Sequence, residues 1–351
     1  MQTLLYEWHV AQHATMVDFA GWKMPIHYGS QLEEHQAVRN HAGIFDVSHM
    51  NVVDIMGHDA KNYLKFLLAN NIEKISAGRA LYTCMLNNSG GIIDDLIVYY
   101  ISENNFRLVL NAGTREKDLN WLNKIGENFK DLKIQPQENM AIIALQGPEA
   151  VNMAKKIFDD NHFPEKMFNF SFLENIMIAR TGYTGEDGVE IILPAQQSQD
   201  IWNKLIAAGA KSIGLGARDS LRLEAGLNLY GSDMDEAVSP LESNLLWTVA
   251  FEPSDRKFIG REKLEEQKKL GIPHKLIGLM LEKGGVLRHG QKVWSQGKEI
   301  GVITSGGFSP TLNVSIAMAR IENKNFTEAE VEIRGKLLPV SLTSLPFVKR
   351  K

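Results

Sequence analysis

The pattern of apolar and polar positions changes period along the chain, and each period predicts an element. Residues 31–41 carry Leu32, His35, Val38 and Arg39 at helical intervals. Residues 50–56 read as a strand. Residues 59–69 read as an amphipathic helix that turns Ala60, Tyr63, Leu64 and Leu67 to one side. Strands follow at 80–86, 92–100 and 106–111, then a helix at 114–129 with Leu119, Trp121 and Leu122 toward the core. The β-α-β-β-β-α order predicts an antiparallel sheet with helices packed on it. Further on, 140–146, 176–181 and 189–193 read as strands, and 149–157, 201–208 and 215–225 as helices. Gly147-Pro148 breaks the chain after the first of these strands.

Two regions depart from this regularity. Residues 1–50 lack clear alternation. Phe19-Ala-Gly-Trp-Lys-Met-Pro and Gly43-Ile-Phe-Asp-Val-Ser-His-Met read as loops or strand ends, where glycine lets a large ring approach the backbone. Residues 251–273 are polar and charged, with a helix at 261–269, and read as a linker. After Lys275, short strands broken by frequent glycines predict a small all-β domain. The basic tail Lys349-Arg350-Lys351 is expected to be frayed and solvated.

Composition narrows the function classes. A chain of 351 residues has room for two or three domains, and 44% hydrophobic with 23% charged residues is ordinary for a soluble globular protein. A net charge of −4 argues against a dedicated nucleic-acid surface, which needs a basic excess. The single cysteine, Cys84, excludes an internal disulfide and lies in an apolar strand-like run that predicts a core position. No run approaches the roughly 18 apolar residues of a spanning helix, so no membrane association is expected. The N-terminus lacks a basic start and an apolar centre, so a cytoplasmic location is expected.

Three stretches carry candidate chemistry. Gly90 and Gly91 mark a tight turn before the strand Ile-Ile-Asp-Asp-Leu-Ile-Val-Tyr-Tyr. Side chains alternate across a strand, so Asp94 shares a face with Ile92, Leu96 and Val98, and Asp95 with Ile93, Ile97 and Tyr99. Both faces are apolar, so at least one carboxylate is expected where water is excluded, at a cost met by a partner or used by a ligand. The blander alternative is two solvated turn acids. In Arg180-Thr-Gly-Tyr-Thr-Gly-Glu-Asp-Gly-Val-Glu-Ile, the three glycines predict a loop presenting Tyr183, Glu186 and Asp187, then a strand with Glu190 between apolar neighbours. The spacing is not that of a phosphate loop, and Glu186-Asp187 would repel phosphate. In the third stretch, Arg218 and Arg222 share a helix face. Arg218 stands near the helix start, where the dipole disfavours a cation, which suggests an anionic or acceptor-rich partner. The plain alternative is a salt bridge to Asp219 or Glu224.

Other motifs carry less. His9 and His13 are four apart and could share a helix face, but a metal site needs a third ligand, so no metal is expected. Ser48-His49-Met50 lacks the context of a nucleophile elbow. Asp94 or Asp95, Glu190, Tyr183 and Arg218 together form a mixed donor and acceptor set. It suits a planar heterocycle with an amidine-like edge: a carboxylate accepts two hydrogen bonds from such an edge, and Arg or Tyr serves its carbonyl.

These residues also carry a resemblance. The chain, from Leu5 to Val348, resembles the aminomethyltransferase, or T-protein, family of the glycine cleavage system. Its most specific pieces are Met16-Val-Asp-Phe-Ala-Gly-Trp-Lys-Met-Pro, Gly43-Ile-Phe-Asp-Val-Ser-His-Met, Gly90-Gly-Ile-Ile-Asp-Asp-Leu-Ile-Val, Arg180-Thr-Gly-Tyr-Thr-Gly-Glu-Asp-Gly, Gly214-Leu-Gly-Ala-Arg-Asp-Ser-Leu-Arg-Leu-Glu and Ile303-Thr-Ser-Gly-Gly-Phe-Ser-Pro-Thr-Leu.

The resemblance implies an α+β protein of three domains in a clover leaf, with antiparallel sheets, ferredoxin-like and Greek-key parts, and a small C-terminal β-barrel. It implies a first domain at 1–48 plus 138–250, a second at 49–137, a linker helix at 251–274 and the barrel at 275–351. Tetrahydrofolate, a co-substrate, would occupy the central opening. The implied reaction moves a one-carbon unit from the aminomethyl-lipoyl arm of the H-protein to tetrahydrofolate and releases ammonia, with no metal or flavin. Carried over by motif, the catalytic aspartate falls on Asp95, pterin-binding positions on Glu190 and Tyr183, and the folate-binding arginine on Arg218. Met50, Tyr82 and Asn111 fall near the folate. Two rival readings are a one-carbon-transfer subunit of a sarcosine or dimethylglycine system and a non-catalytic folate-binding protein of iron–sulfur assembly. The first needs a flavin partner chain; the second has a cysteine motif that the context of Cys84 does not match.

Overall fold

The structure, a computed structural model, describes residues 1–158 and 163–349. Helix α1 (Tyr6–Ala11) and strands β1 (Thr15–Phe19) and β2 (Trp22–His27) precede α2 (Gln31–Asn40) and β3 (Gly43–Asp46). Next come β4 (Asn51–Met56), α3 (Ala60–Leu67), β5 (Arg79–Leu86), β6 (Ile92–Ser102), β7 (Asn105–Leu110), α4 (Arg115–Gly126) and β8 (Lys133–Pro136). Then follow β9 (Met140–Gln146), α5 (Ala150–Ile157), β10 (Phe170–Leu173), β11 (Ile176–Ala179), β12 (Gly188–Pro194), α6 (Ser198–Ala207), β13 (Lys211–Ser212), α7 (Leu215–Glu224) and α8 (Arg261–Leu270). The last strands are β14 (His274–Leu281), β15 (Lys292–Ser295), β16 (Lys298–Ser309), β17 (Val314–Glu322), β18 (Ala329–Ile333) and β19 (Lys336–Thr343).

Chain contacts divide the molecule into two compact units. The first holds Met1–Lys65, Ile72–Tyr82 and Leu96–Asp219; the second holds Phe66–Asn71, Thr83–Asp95 and the chain from Ser220 onward. In the first unit a six-stranded sheet runs β10-β11-β12-β9-β3-β13. Every pairing in it is antiparallel except β13 with β3. The central strands β9 and β12 are buried along nearly their whole length, which is why their sequences are continuous apolar runs. Ile143, Leu145, Val189 and Ile191 pack against Ala154 of α5 and Trp202 and Leu205 of α6.

The second sheet runs β5-β6-β7-β4-β8, antiparallel where β4, β6, β7 and β8 pair. On α3 the predicted face is fully buried at Ala60, Tyr63, Leu64 and Leu67. In the second unit β14-β17-β16-β15-β18-β19 close into a barrel, as the glycine-punctuated texture predicts. Leu279, Ile303, Ala317, Ile321 and Val331 fill it.

The N-terminal region departs from expectation. Residues 19–25 belong to a hairpin, with Ala20 and Gly21 at positive φ in its turn, and Gly43–Asp46 is a buried strand. Helix α1 and strands β8, β10 and β13 give no clear pattern in the sequence. The strands are short and largely half-exposed, so alternation has nothing to mark. His13 lies beyond the end of α1 with φ 58°, so it does not share a helix face with His9. Arg350 and Lys351 of the basic tail lie outside the described residues.

Candidate active site

The first-unit site is built on β11, β12 and the loop between them. Two glycines of that loop are there for space. A Cβ on Gly182 or Gly188 would run into the side chain of Gln146 or the carbonyl of Leu145. Buried Gln146 fills this space: its Nε2 donates to the Thr181 carbonyl at 3.1 Å, and its Oε1 accepts from Thr184 Oγ1 at 2.9 Å. Arg39 donates to the Thr184 carbonyl at 2.9 Å and to Glu186 at 2.7 Å, and Arg180 donates to Asp187 at 2.7 Å. Both loop acids are therefore neutralised by buried or half-buried arginines and serve the loop's shape.

Glu190, on β12, is 8% exposed and pairs across the sheet with Ala144 and Ala179. Thr181 Oγ1 donates to its Oε2 at 2.6 Å. Arg218 stands in the first turn of α7. Glu34 prepares that turn, accepting from the Gly214 and Tyr28 amides at 2.8 and 2.7 Å, and Gly214 has no room for a Cβ beside the Ile26 carbonyl. The Arg218 guanidinium lies 4.8 Å from the centre of the Tyr183 ring and 5.9 Å from that of Phe45. Such stacking on ring faces is favourable for a guanidinium. Burial pulls its pKa down, and the Glu190 carboxylate opposes this. Its Nη1 is buried without a hydrogen-bond partner among the described residues. A buried guanidinium donor left open costs free energy until an acceptor arrives. Glu224, one of its plain alternative partners, is instead engaged by Ser309 and Thr311, and Arg222 pairs with Asp233 at 3.0 Å.

His49 completes the surroundings. It is 5% exposed, its ring meets Phe19 edge-on at 5.4 Å, and its Nδ1 also has no partner among the described residues. Burial, helped by the Arg218 charge and opposed by Asp46, pushes its pKa down to about 4, so it is neutral at pH 7. Asp46 accepts from Thr3 at 2.7 Å and from the Ser48 amide at 3.0 Å, and lies 3.0 Å from His9. The other nitrogen of His9 faces Tyr28 Oη at 2.7 Å. His9 is thus part of a buried hydrogen-bonded network.

The structure brings Tyr183, Glu190 and Arg218 together. Met50, Tyr82 and Asn111 are half-buried in the same unit, at the residue after His49, on β5 and just beyond β7. Phe45, His49, Gln146 and Thr181 were missed in the sequence. The only signal for Phe45 and His49 was their place in the Gly43 motif.

Asp95 lies in the second unit, at the head of β6. The preceding turn is tied by the Asn87 side chain, which accepts from the Ser89 and Gly91 amides at 2.9 and 3.0 Å. Gly91 is obligatory because a Cβ there would overlap the Glu236 carbonyl. The Ile92 amide donates to the carbonyls of Asp235 and Val238, and Tyr230 Oη donates to the Ile92 carbonyl at 3.0 Å. With its start so fixed, β6 buries Asp94 completely and leaves Asp95 half-buried. Burial pushes the neighbouring Cys84 thiol up, and the charges of Asp95 and Asp94 add to the effect.

Two family models cover the chain. The GCVT N-terminal domain matches residues 5–253, and the glycine cleavage T-protein C-terminal barrel domain matches residues 274–349. An aminomethyltransferase of Xanthomonas axonopodis pv. citri (strain 306) is 51% identical over 358 residues, spanning 99% of this chain and 96% of its own. One from Methylococcus capsulatus (strain ATCC 33009 / NCIMB 11132 / Bath) is 50% identical over 349 residues, spanning 99% and 97%. Among solved structures, the glycine cleavage system aminomethyltransferase T from Bartonella henselae matches with a TM-score of 0.94 at 34% identity, over 99% of this chain and 98% of that one. Among the described residues no helix is long and apolar enough to cross a membrane.

Proposed function

The chain belongs to the glycine cleavage T-protein family and is an aminomethyltransferase; from that premise we propose that it transfers the one-carbon unit of aminomethyl-lipoyl H-protein to tetrahydrofolate. The observation that carries this reading is the cluster of Arg218, Tyr183 and Glu190 with a buried, open guanidinium nitrogen. Arg218 Nη1 would donate to the pterin carbonyl. Glu190 would accept from the amidine-like edge, and Tyr183 would wall the ring. Met50, Tyr82 and Asn111 would contact the folate, with the carrier docking as partner, in the cytoplasm. The three-domain division is part of the same proposal.

In the reaction so read, the C–N bond of the thioaminal breaks and ammonia leaves. A folate nitrogen attacks the electron-poor carbon. The C–S bond then breaks as the second folate nitrogen closes the ring. One folate N–H proton leaves with ammonia and the other returns to the lipoyl sulfur. The products are 5,10-methylenetetrahydrofolate, ammonia and the dihydrolipoyl carrier. Asp95 would stand beside the reacting nitrogens, orient them and stabilise the developing positive charge. Of the adjacent acids, only Asp95 keeps accessible surface, which supports this choice over fully buried Asp94.

The test is formation of methylenetetrahydrofolate from aminomethylated carrier, with and without tetrahydrofolate. Asp95→Asn should cut kcat about 100-fold or more while tetrahydrofolate binding stays near normal. Near-normal turnover would remove Asp95 from the mechanism.

A further inference from the structure

Thr181 is 2% exposed and sits between two other buried groups. Its Oγ1 lies 2.6 Å from Glu190 Oε2 and 3.3 Å from Tyr99 Oη. An ionised carboxylate only accepts, so the single hydroxyl proton of Thr181 goes to Glu190. The lone pair of Thr181 is then the acceptor for Tyr99. Tyr99 is 1% exposed, and burial, then the Glu190 charge, raises its pKa, so it keeps its proton to give. Its ring is held edge-on against Phe170 at 5.5 Å. The relay therefore has one direction, Tyr99 to Thr181 to Glu190. Among the described residues Thr181 is the only side chain that donates to Glu190, and it takes Oε2. Oε1 is left as the acceptor for a ligand.

We propose that Thr181 is a positioning residue for the pterin ring, its hydroxyl fixing the Glu190 carboxylate and Tyr99 fixing the hydroxyl. This rests on the reading of Glu190 as a pterin-binding group. A Thr181 that merely satisfied a buried carboxylate would affect stability and leave ligand affinity unchanged.

The experiment measures tetrahydrofolate Kd by titration, and KM and kcat in the full reaction. It uses full-length Thr181→Val, Thr181→Ser, Tyr99→Phe, Glu190→Gln and the Thr181→Val/Glu190→Gln double variant. Thr181→Val should raise Kd and KM about tenfold, the scale of a lost hydrogen bond to a charged group, with kcat within roughly twofold. Thr181→Ser should restore near-normal affinity, and Tyr99→Phe should weaken binding less. The double variant should bind no worse than Glu190→Gln alone, since the two act through one carboxylate. Normal binding by Glu190→Gln overturns the site reading itself. Weak binding by Glu190→Gln with normal binding by Thr181→Val, or additive losses in the double variant, overturns only the role of Thr181. Should Thr181→Val fail to fold, Tyr99→Phe and Thr181→Ser decide: an unchanged Kd for Tyr99→Phe, or a tenfold loss for Thr181→Ser, refutes the proposal.

Discussion

The Arg218 guanidinium is held by ring faces, with one nitrogen left open. Lysine keeps the charge but has neither the plane that stacks nor the fork that donates in fixed directions. Arg218→Lys should therefore raise KM for tetrahydrofolate by about tenfold or more, with little change in the melting temperature. Equal KM values would show that charge alone suffices. His49 gives a second prediction. An unfolded imidazole takes its proton near 6.5, whereas folded His49 resists until about 4, because burial and then Arg218 disfavour its charge. Between these values the unfolded chain binds a proton that the folded chain refuses, so stability is full above 6.5 and falls as pH drops toward 4. The loss is on the order of 3 kcal/mol. Urea midpoints from pH 7 to pH 4 should slope less for His49→Asn than for the parent, and identical slopes would count against this account.

At the scale of elements, the head of β6 is set by close backbone approach, not by its own propensity. Gly91 passes against the Glu236 carbonyl, and Asn87 closes the turn. Gly91→Ala must push the two backbones apart, so it should lose about 2 kcal/mol of stability. It should also lower turnover, because Asp95 follows four residues later. Equilibrium unfolding and the transfer assay measure the two effects separately. The β11–β12 loop is held differently: Gln146 occupies the room left by Gly182 and Gly188, and Arg39 and Arg180 tie down its acids. Loop and strand thus reach fixed positions through local ties, Asn87 and Arg180, together with groups distant in sequence, Arg39, Gln146 and the Glu236 carbonyl.

Within the second unit, the motif at 303–312 finds a structural use. Thr304 and Ser305 donate to Asp233 at 2.5 and 2.8 Å, and Ser309 and Thr311 donate to Glu224. Arg222 donates to Asp233 at 3.0 Å and to Ser305 at 3.1 Å, so the barrel and the end of α7 share one buried polar network. Asp233→Leu removes the buried carboxylate to which Arg222, Thr304 and Ser305 all donate and should cost about 3–5 kcal/mol. Arg222→Met/Asp233→Leu, which removes both charges, should recover much of that loss in chemical denaturation. A double variant as unstable as the single one would mean that the network, not the Arg222 charge, carries the cost.

The sequence alone determined the long elements and singled out most of the residues proposed for the site. The buried face of α3 and the apolar strands β9 and β12 leave a period or a continuous run that only burial explains. The acids in apolar strands and the cation at a helix start stood out because each breaks a local rule. The hairpin at 15–27 and strands β8, β10 and β13 were not legible, since short half-exposed ladders impose no alternation. Only the tertiary structure could separate Asp94 from Asp95 by accessibility. It alone turned Glu186 and Asp187 toward arginines, and it alone placed Tyr99 and Thr181 behind Glu190. Local pattern reports how much a position is buried, whereas a hydrogen-bond partner dozens of residues away depends on how the strands are brought side by side.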